Sequence, residues 1–349
     1  MRNILPEQTL RRWSKVVGSI WTQSHARKDY VQGNYFDWHN MSKDGTIQKR
    51  KGDLLGLVAV LLWSTVATAF KLSLRHLSPA QLLLLSCIVS WLFLSAVLLY
   101  RGMFRAAFRN LKSGFGRAFL MGLLNPCLYY LILFEAYDLL PAQEAQALNY
   151  TWALTISLLA VPILGHALRW RDVLAALISY SGVVVIATRG HLASLEFANP
   201  TGVALALLST LIWAIYWLLG TRDKVDPVTG LFLNFTLATP VLLLYCGLSG
   251  ELTTIELSGL PGAVYVGLFE MGLTFILWGL AMKNTDSTAR TANLIFLSPP
   301  LSLVFIALVL QEPILTSTLA GLGLILAGLA FQRFRKTKNS FRRRGVQSA

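Results

Sequence analysis

The chain has 349 residues, of which 54% are hydrophobic and only 14% charged, against roughly a quarter charged in ordinary soluble domains. No water-soluble fold of this length could hide that much apolar surface, so composition excludes a soluble globular protein and makes lipid the solvent for most of the chain. A formal charge of +14 would point to nucleic acid in a soluble protein, but here the basic residues sit between apolar runs and at the two ends, which favours charge that orients loops about a membrane.

Residues 1–52 are polar, basic and dotted with aromatics, and read as a disordered cytoplasmic leader. Within it, "RRWSKVVGSIW" offers at most a weak amphipathic helix on the membrane surface. Met41 opens a short basic leader of ordinary type and is an alternative start, since residues 1–40 add nothing to the unit that follows. No short apolar core with a small-residue cleavage site marks a secretory signal.

From residue 53 the pattern changes to ten apolar segments, at about 54–73, 79–100, 115–137, 142–165, 172–188, 199–220, 229–248, 262–282, 288–310 and 316–333. Crossing a hydrocarbon core of about 30 Å takes about 20 helical residues. Lipid offers no partners to open strand edges, so these runs are expected to be helices. The fold class is therefore an all-α membrane protein with ten transmembrane helices. Breakers such as "HLSPAQ", "LLPAQE", "KVDPVTG" and "QEPILT" mark the turns.

Lysine and arginine alternate from loop to loop. Arg101, Arg105, Arg109, Lys112 and Arg117 follow the second segment, Arg169 and Arg171 the fourth, Arg222 and Lys224 the sixth, and Lys283 and Arg290 the eighth. Lys43, Lys49, Arg50 and Lys51 precede the first, and residues 333–344 add seven more. Twenty-two cations thus fall on one side, against Arg75 and Arg189 on the other. That asymmetry predicts a multi-pass protein of the cell membrane with both termini cytoplasmic, ending in a basic tail at 334–349.

The two halves resemble each other. "GDLLGLVAVLLWS" (52–64) aligns with "GVALALLSTLIWA" (202–214), "GLLN" (122–125) with "GLFE" (267–270), and "PILGH" (162–166) with "LVLQE" (308–312), which sets Gly182 on Gly328. Each half, 53–190 and 199–333, holds five spans. An odd number inverts the second copy, an arrangement that places a binding site near the bilayer midplane between the halves.

Two acidic residues stand out inside spans, Glu135 and Glu270. Glu270 falls near mid-depth, where a carboxylate costs at least about 2.5 kcal/mol. It reads as a proton carrier or an ammonium site, against the alternative of a structural hydrogen bond to a neighbouring helix. The repeat sets Asn125 opposite it, followed by Pro126, which frees a backbone carbonyl. Glu135, with Asp138 close in sequence, reads as interfacial. Lys71 reads either as a partner for an acid or anionic substrate, or as a stem that snorkels to the outer interface. Trp63, Trp152, Trp213, Tyr129, Tyr150 and Tyr216 lie within spans rather than in belts at their ends. Together they suit a cavity wall that stacks on a planar or cationic substrate, although helix packing explains any single ring as well. Asn149 and Asn293, taken to begin the fourth and ninth spans, are candidates for hydrogen bonds across the cavity. Cys87, Cys127 and Cys246 read as small core residues.

These anchors resemble those of the drug/metabolite transporter superfamily, EamA type, over about residues 53–333. The similarity lies in two five-helix repeats, each opening on a Gly-leading helix with a Trp-Ser or Trp-Ala pair, here Trp63-Ser64 and Trp213-Ala214. Its closing stretch, with an acidic residue before a Gly-rich last helix, fits "SPPLSLVFIALVLQEP" in the second half. The first half departs, with His166 at the acidic position. "LNYTWALT" (148–155) and "FEMGLTFILWGLA" (269–281) resemble the branch with bacterial aromatic amino-acid exporters, although Ala153 stands where that branch usually has Pro. The resemblance implies a secondary transporter that exports a small metabolite such as an amino acid, by alternating access and with proton coupling as one option. A passive channel and a nucleotide-sugar transporter of the same superfamily are the alternatives. The bilayer and a small molecule are the partners, and no cofactor, metal or nucleic acid is expected. No phosphate loop, paired histidines or Ser-His-Asp set can be assembled, so no enzyme is expected.

Overall fold

The computed structural model describes residues 45–165, 167–168, 170–193, 199–221, 225–285 and 288–333. The expectations for residues 1–44, His166 and the tail at 334–349 lie outside them. The described residues contain no strand. Among the described residues, nine helices are long and apolar enough to cross a membrane: α1 Gly52–Ser73, α2 Pro79–Tyr100, α3 Gly114–Leu139, α4 Ala142–Leu164, α5 Trp170–Ala187, α6 Pro200–Gly220, α7 Pro227–Leu248, α8 Leu257–Lys283 and α9 Thr291–Leu310. A shorter apolar helix, α10 Thr316–Gln332, completes ten. The first apolar helix extends back to Gly45. The eighth span starts earlier than the hydropathy indicated, because short turns at Glu251–Thr254 and Leu257–Gly259 lead into it.

Local chemistry explains where the helices start. Ser78, Asn199 and Asp226 each accept a hydrogen bond from a backbone N–H of the first turn, and each is followed by proline at the first helical position. Proline there has no N–H to leave unpaired, and the capping side chain satisfies one of the others. Ser78 and Gln81 form a full capping box. Between helices, contact is made by small residues, as expected where lipid removes the hydrophobic drive and close backbone approach supplies the attraction. A Cβ on Gly182 would collide with the Gly321 carbonyl of α10, and one on Gly321 with that of Gly182. Gly328 approaches Ser179 and Ala175 in the same way. The fifth helix of each half is therefore clamped to its counterpart.

Among the described residues, four of the spanning helices are interrupted within their length. In α3, a π-turn at Leu123–Leu128 carries Asn125 out of helical geometry (φ −145°, ψ 116°) before Pro126. In α8, a π-turn at Val266–Glu270 is followed by Gly272 at φ −117°, ψ −84°. The fourth and ninth helices break at Tyr150–Thr151 and in a 3₁₀ turn at Leu294–Leu297. The pairs are those the sequence repeat relates, third with eighth and fourth with ninth. Irregular backbone at membrane depth is tolerated only where protein or a cavity covers it, and π-turns mark functional sites.

At the α1 C-terminal end, polar groups close the bundle. Lys71 Nζ donates to the carbonyls of Tyr137 (2.6 Å), Asp138 (3.2 Å) and Leu140 (2.9 Å), so it neither snorkels freely nor waits for an anion. Its ammonium terminates α3, where cations suit the negative end of the helix dipole. Glu312 Oε1 accepts from the Ala142 N–H at 3.2 Å, and Gln143 spans Pro313 O (2.7 Å) and Leu315 N (2.8 Å), tying the start of α4 to the end of α9. Arg189 Nε donates to Glu144 Oε1 at 2.7 Å. Glu144 is only 1% exposed, so the sequence reading that found two acids inside spans missed a third. Glu135 is half-buried on α3, with Asp138 and Glu251 as its nearest charges.

Candidate functional site

The interrupted helices converge on Glu270. Glu270 is 8% exposed and is the last residue of the π-turn of α8. Tyr130 Oη, from the helical segment that restarts after Pro126, donates to Glu270 Oε1 at 2.9 Å. The Trp63 indole of α1 faces the same carboxyl, without an aligned hydrogen bond, so Oε2 has no partner. A buried carboxyl oxygen without a donor is costly, by about 1–3 kcal/mol for a neutral group and more for a charged one.

Rings surround this acid in a chain of contacts. Trp278 meets Trp63 at 5.4 Å, and Trp63 meets Phe275 edge-on at 5.9 Å. Phe275 is 6.1 Å from Trp213, Trp213 stacks on Tyr129 at 4.4 Å, and Tyr129 meets Tyr130 at 4.7 Å. Tyr216 stacks on Trp213 at 5.8 Å and accepts from Asn234 Nδ2 at 3.3 Å. Each such pair adds about 0.5–1.5 kcal/mol beyond burial and holds ring faces at fixed angles. Asn149 Nδ2 donates to Ser209 Oγ at 3.2 Å, and the Asn149 side chain lies beside Tyr129. The wall is therefore orientated by polar contacts from behind.

Of the residues singled out from sequence, contacts join Glu270, Trp63, Trp213, Tyr129, Tyr216 and Asn149 in one cluster. Asn125 is buried in the α3 π-turn five residues before Tyr130, and its Oδ1 also has no partner. Asn149 does not begin the fourth span but ends its first half, at the break. Asn293 ends the opening turn of the ninth helix and is exposed. Trp152 is half-buried against the core, and Tyr150 is buried beside Ser298. Sequence reasoning missed Tyr130, Phe275 and Trp278. Phe275 and Trp278 are three residues apart, a spacing that puts them on one face of the segment after Glu270, but the break at Gly272 sets which face turns to the acid. Nothing in the sequence distinguishes Tyr130 from Tyr129, because the π-turn sets which of the pair reaches the acid. Among the described residues, no group of three or more His, Cys, Asp or Glu is placed to hold a metal ion.

The fold and this site can be set beside known proteins. The model of the EamA-like transporter family matches twice, over residues 50–188 and 200–333. An uncharacterized transporter of Archaeoglobus fulgidus is 24% identical over 78% of this chain and 95% of its own. The aromatic amino acid exporter YddG of Ancylobacter novellus is 29% identical over 69% of this chain and 82% of its own. A probable terminal-alkyne amino-acid exporter of Streptantibioticus cattleyicolor is 24% identical over 78% and 90%. A crystal structure with 25% sequence identity covers 82% of this chain and 97% of its own at a TM-score of 0.58. The double match corresponds to the two halves that share broken third and fourth helices, and the chain belongs to the EamA-like transporter family, as a multi-pass membrane protein built from two inverted five-helix repeats.

Proposed function

We propose that this transporter exports a small amine-bearing metabolite, an amino acid with an aromatic or otherwise planar side chain, by alternating access through the space around Glu270. The observation that carries the reading is the Glu270 carboxyl, buried among aromatic rings with Oε2 unpartnered. A substrate ammonium supplies donors to that oxygen, and ring faces attract both a cation and a planar group. The relatives named as amino-acid exporters are consistent with this substrate class. A nucleotide sugar would need cations for its phosphates, and Lys71 is already committed to three backbone carbonyls. The asymmetry of lysine and arginine supports cytoplasmic termini, with the Lys71–Glu312 end facing outward. Outside labelling of a cysteine placed at Arg105 in intact cells would reverse that orientation.

Export of labelled aromatic amino acids from cells with and without the chain tests the reading. Expected is faster efflux with the wild type and loss of it with Glu270→Gln. The pH dependence of transport separates the roles of the acid. If Glu270 carries the coupling proton, the Gln variant loses transport driven by a pH gradient but keeps exchange of substrate for substrate. If it only binds the ammonium, both are lost together. Wild-type cells with no excess efflux of any amino acid tested would overturn the substrate class.

A further inference from the structure

A cleft separate from the Glu270 cluster opens between α1, α8 and α9. Its volume is about 490 Å³, within the range of about 300–1,000 Å³ of small-molecule sites. Thr65, Thr68, Leu72, Tyr265, Phe305 and Val309 form its walls, and Arg75, His76 and Ser258 its rim. Leu72 and Val309 are exposed and lie within spans, so the cleft opens sideways to the bilayer. Trp63 turns toward Glu270 while Thr65, two residues on, bonds Tyr265 Oη at 2.6 Å, which puts the cleft on another face of α1.

Two features show that the cleft is more than a packing gap. The other hydroxyls of α1 are satisfied by their own helix: Ser64 donates to Val60 O, Thr65 to Leu62 O and Ser73 to Ala69 O. Thr68 does not follow them. It is 6% exposed, it lines the cleft, and its Oγ1 has no partner. Inside a membrane an idle hydroxyl would ordinarily bond back to its helix. The rim is the second feature, because it carries both signs of charge. Arg75 is exposed at the cleft edge. Glu256 is held there by His76 Nδ1 at 3.3 Å and by Ser258 Oγ at 3.3 Å, and is 61% exposed.

We propose that this cleft binds a phospholipid with a primary-ammonium headgroup, such as phosphatidylethanolamine. One acyl chain lies between α1 and α9, the phosphate meets Arg75, and the ammonium donates to Glu256. Thr68, two turns below Arg75 on the same face of the helix, lines the acyl part of the cleft with its hydroxyl buried. A choline headgroup has no N–H to give Glu256, and a glycerol headgroup brings no cation, so the rim discriminates by headgroup chemistry. The assignment does not depend on which metabolite the Glu270 site carries.

Native mass spectrometry of the purified full chain, equilibrated in detergent with equal amounts of phosphatidylethanolamine, phosphatidylcholine and phosphatidylglycerol, tests it. Expected is preferential retention of phosphatidylethanolamine, reduced about tenfold in Arg75→Gln and in Glu256→Gln. Both residues are exposed, so these changes leave the fold intact. Thr68→Phe, which fills the cleft, lowers retention of all three lipids. Its folding is checked by monodisperse elution, and Thr68→Val serves as the gentler replacement if it misfolds. Equal retention of the three lipids by the wild type, or unchanged preference in both rim variants, would overturn the proposal. So would displacement of bound lipid by a free aromatic amino acid, which would make the cleft a second substrate station.

Discussion

Glu144 and Glu270 are both carboxyls buried within apolar helices, and each keeps one oxygen without a hydrogen-bond donor. What surrounds them differs. Glu144 has a guanidinium at 2.7 Å, and its neighbours Gln143 and Ala142 are bonded to the far repeat. Glu270 has a neutral phenol and a ring wall, with no cation hydrogen-bonded to it among the described residues. A buried charge that is already paired stabilises one arrangement of the helices, whereas one paired only with neutral donors is left to a mobile partner. The first region therefore reads as a structural clasp, in which the Glu144–Arg189 pair lies inside the first repeat and its neighbours Ala142 and Gln143 tie to the second, and the second region as a binding centre. The two can be separated by the kind of damage their mutation causes.

The largest effect is expected at the centre. Glu270→Gln keeps shape and acceptor geometry and removes a charge whose burial is costly, so expression and melting temperature should hold or rise. Transport should fall at least tenfold, equivalent to about 1.4 kcal/mol, the scale of one charge-assisted contact. Normal transport in a normally folded Gln variant would instead make Glu270 a packing residue. Glu270→Leu sharpens the point. It strands the Tyr130 hydroxyl, so it should lower stability where Gln does not.

The clasp should fail in the opposite sense, through stability. Arg189→Met leaves Glu144 charged and unpaired in the interior. Breaking a fully buried pair costs about 3–5 kcal/mol, but the Arg189 side chain is 43% exposed, so a loss nearer 1 kcal/mol is expected. Glu144→Gln should cost less than Arg189→Met, because the orphaned arginine can turn to water while the orphaned glutamate cannot. The double variant should regain much of the loss. Thermal unfolding of the four proteins in detergent forms the cycle, and equal single-variant losses with simple additivity would dissolve the clasp.

Much of this comparison was legible in the sequence, though unevenly. Ten apolar runs, the breakers that mark the turns, and the alignment of Asn125 with Glu270 all followed from local chemistry or from the repeat. Periodicity cannot show where a helix breaks when both halves of the break are equally apolar. Pro126 marked the break in α3, but nothing marked the π-turn at Val266–Glu270 or the choice of Tyr130 over Tyr129. Glu144 was missed for a related reason: its burial depends on the segment after α9 folding back over the start of α4, a contact between positions about 170 residues apart. Lys71 was seen, but its role depends on three carbonyls that a sequence does not place.

The smallest effect, and the finest test of the centre, is expected from Tyr130→Phe. The change removes one hydroxyl and leaves the ring, so its contacts with Tyr129 (4.7 Å) and Phe134 (5.6 Å) persist. What is lost is the single donor to Glu270 Oε1. A hydrogen bond to a charged group contributes about 1.5–3 kcal/mol and one between neutral groups about 0.5–1.5. If Glu270 waits for an ammonium, the bound substrate can supply donors to both carboxyl oxygens. The variant then loses stability when empty and recovers part of it when loaded. The substrate-induced rise in melting temperature should therefore be larger in Tyr130→Phe than in the wild type, while transport falls only a few-fold. If Glu270 is merely a helix-to-helix tie, substrate cannot compensate, and the rise should be the same in both proteins. Melting curves with and without a saturating transported amino acid distinguish the two. An unchanged shift in the presence of proven transport would place the substrate elsewhere in the cavity.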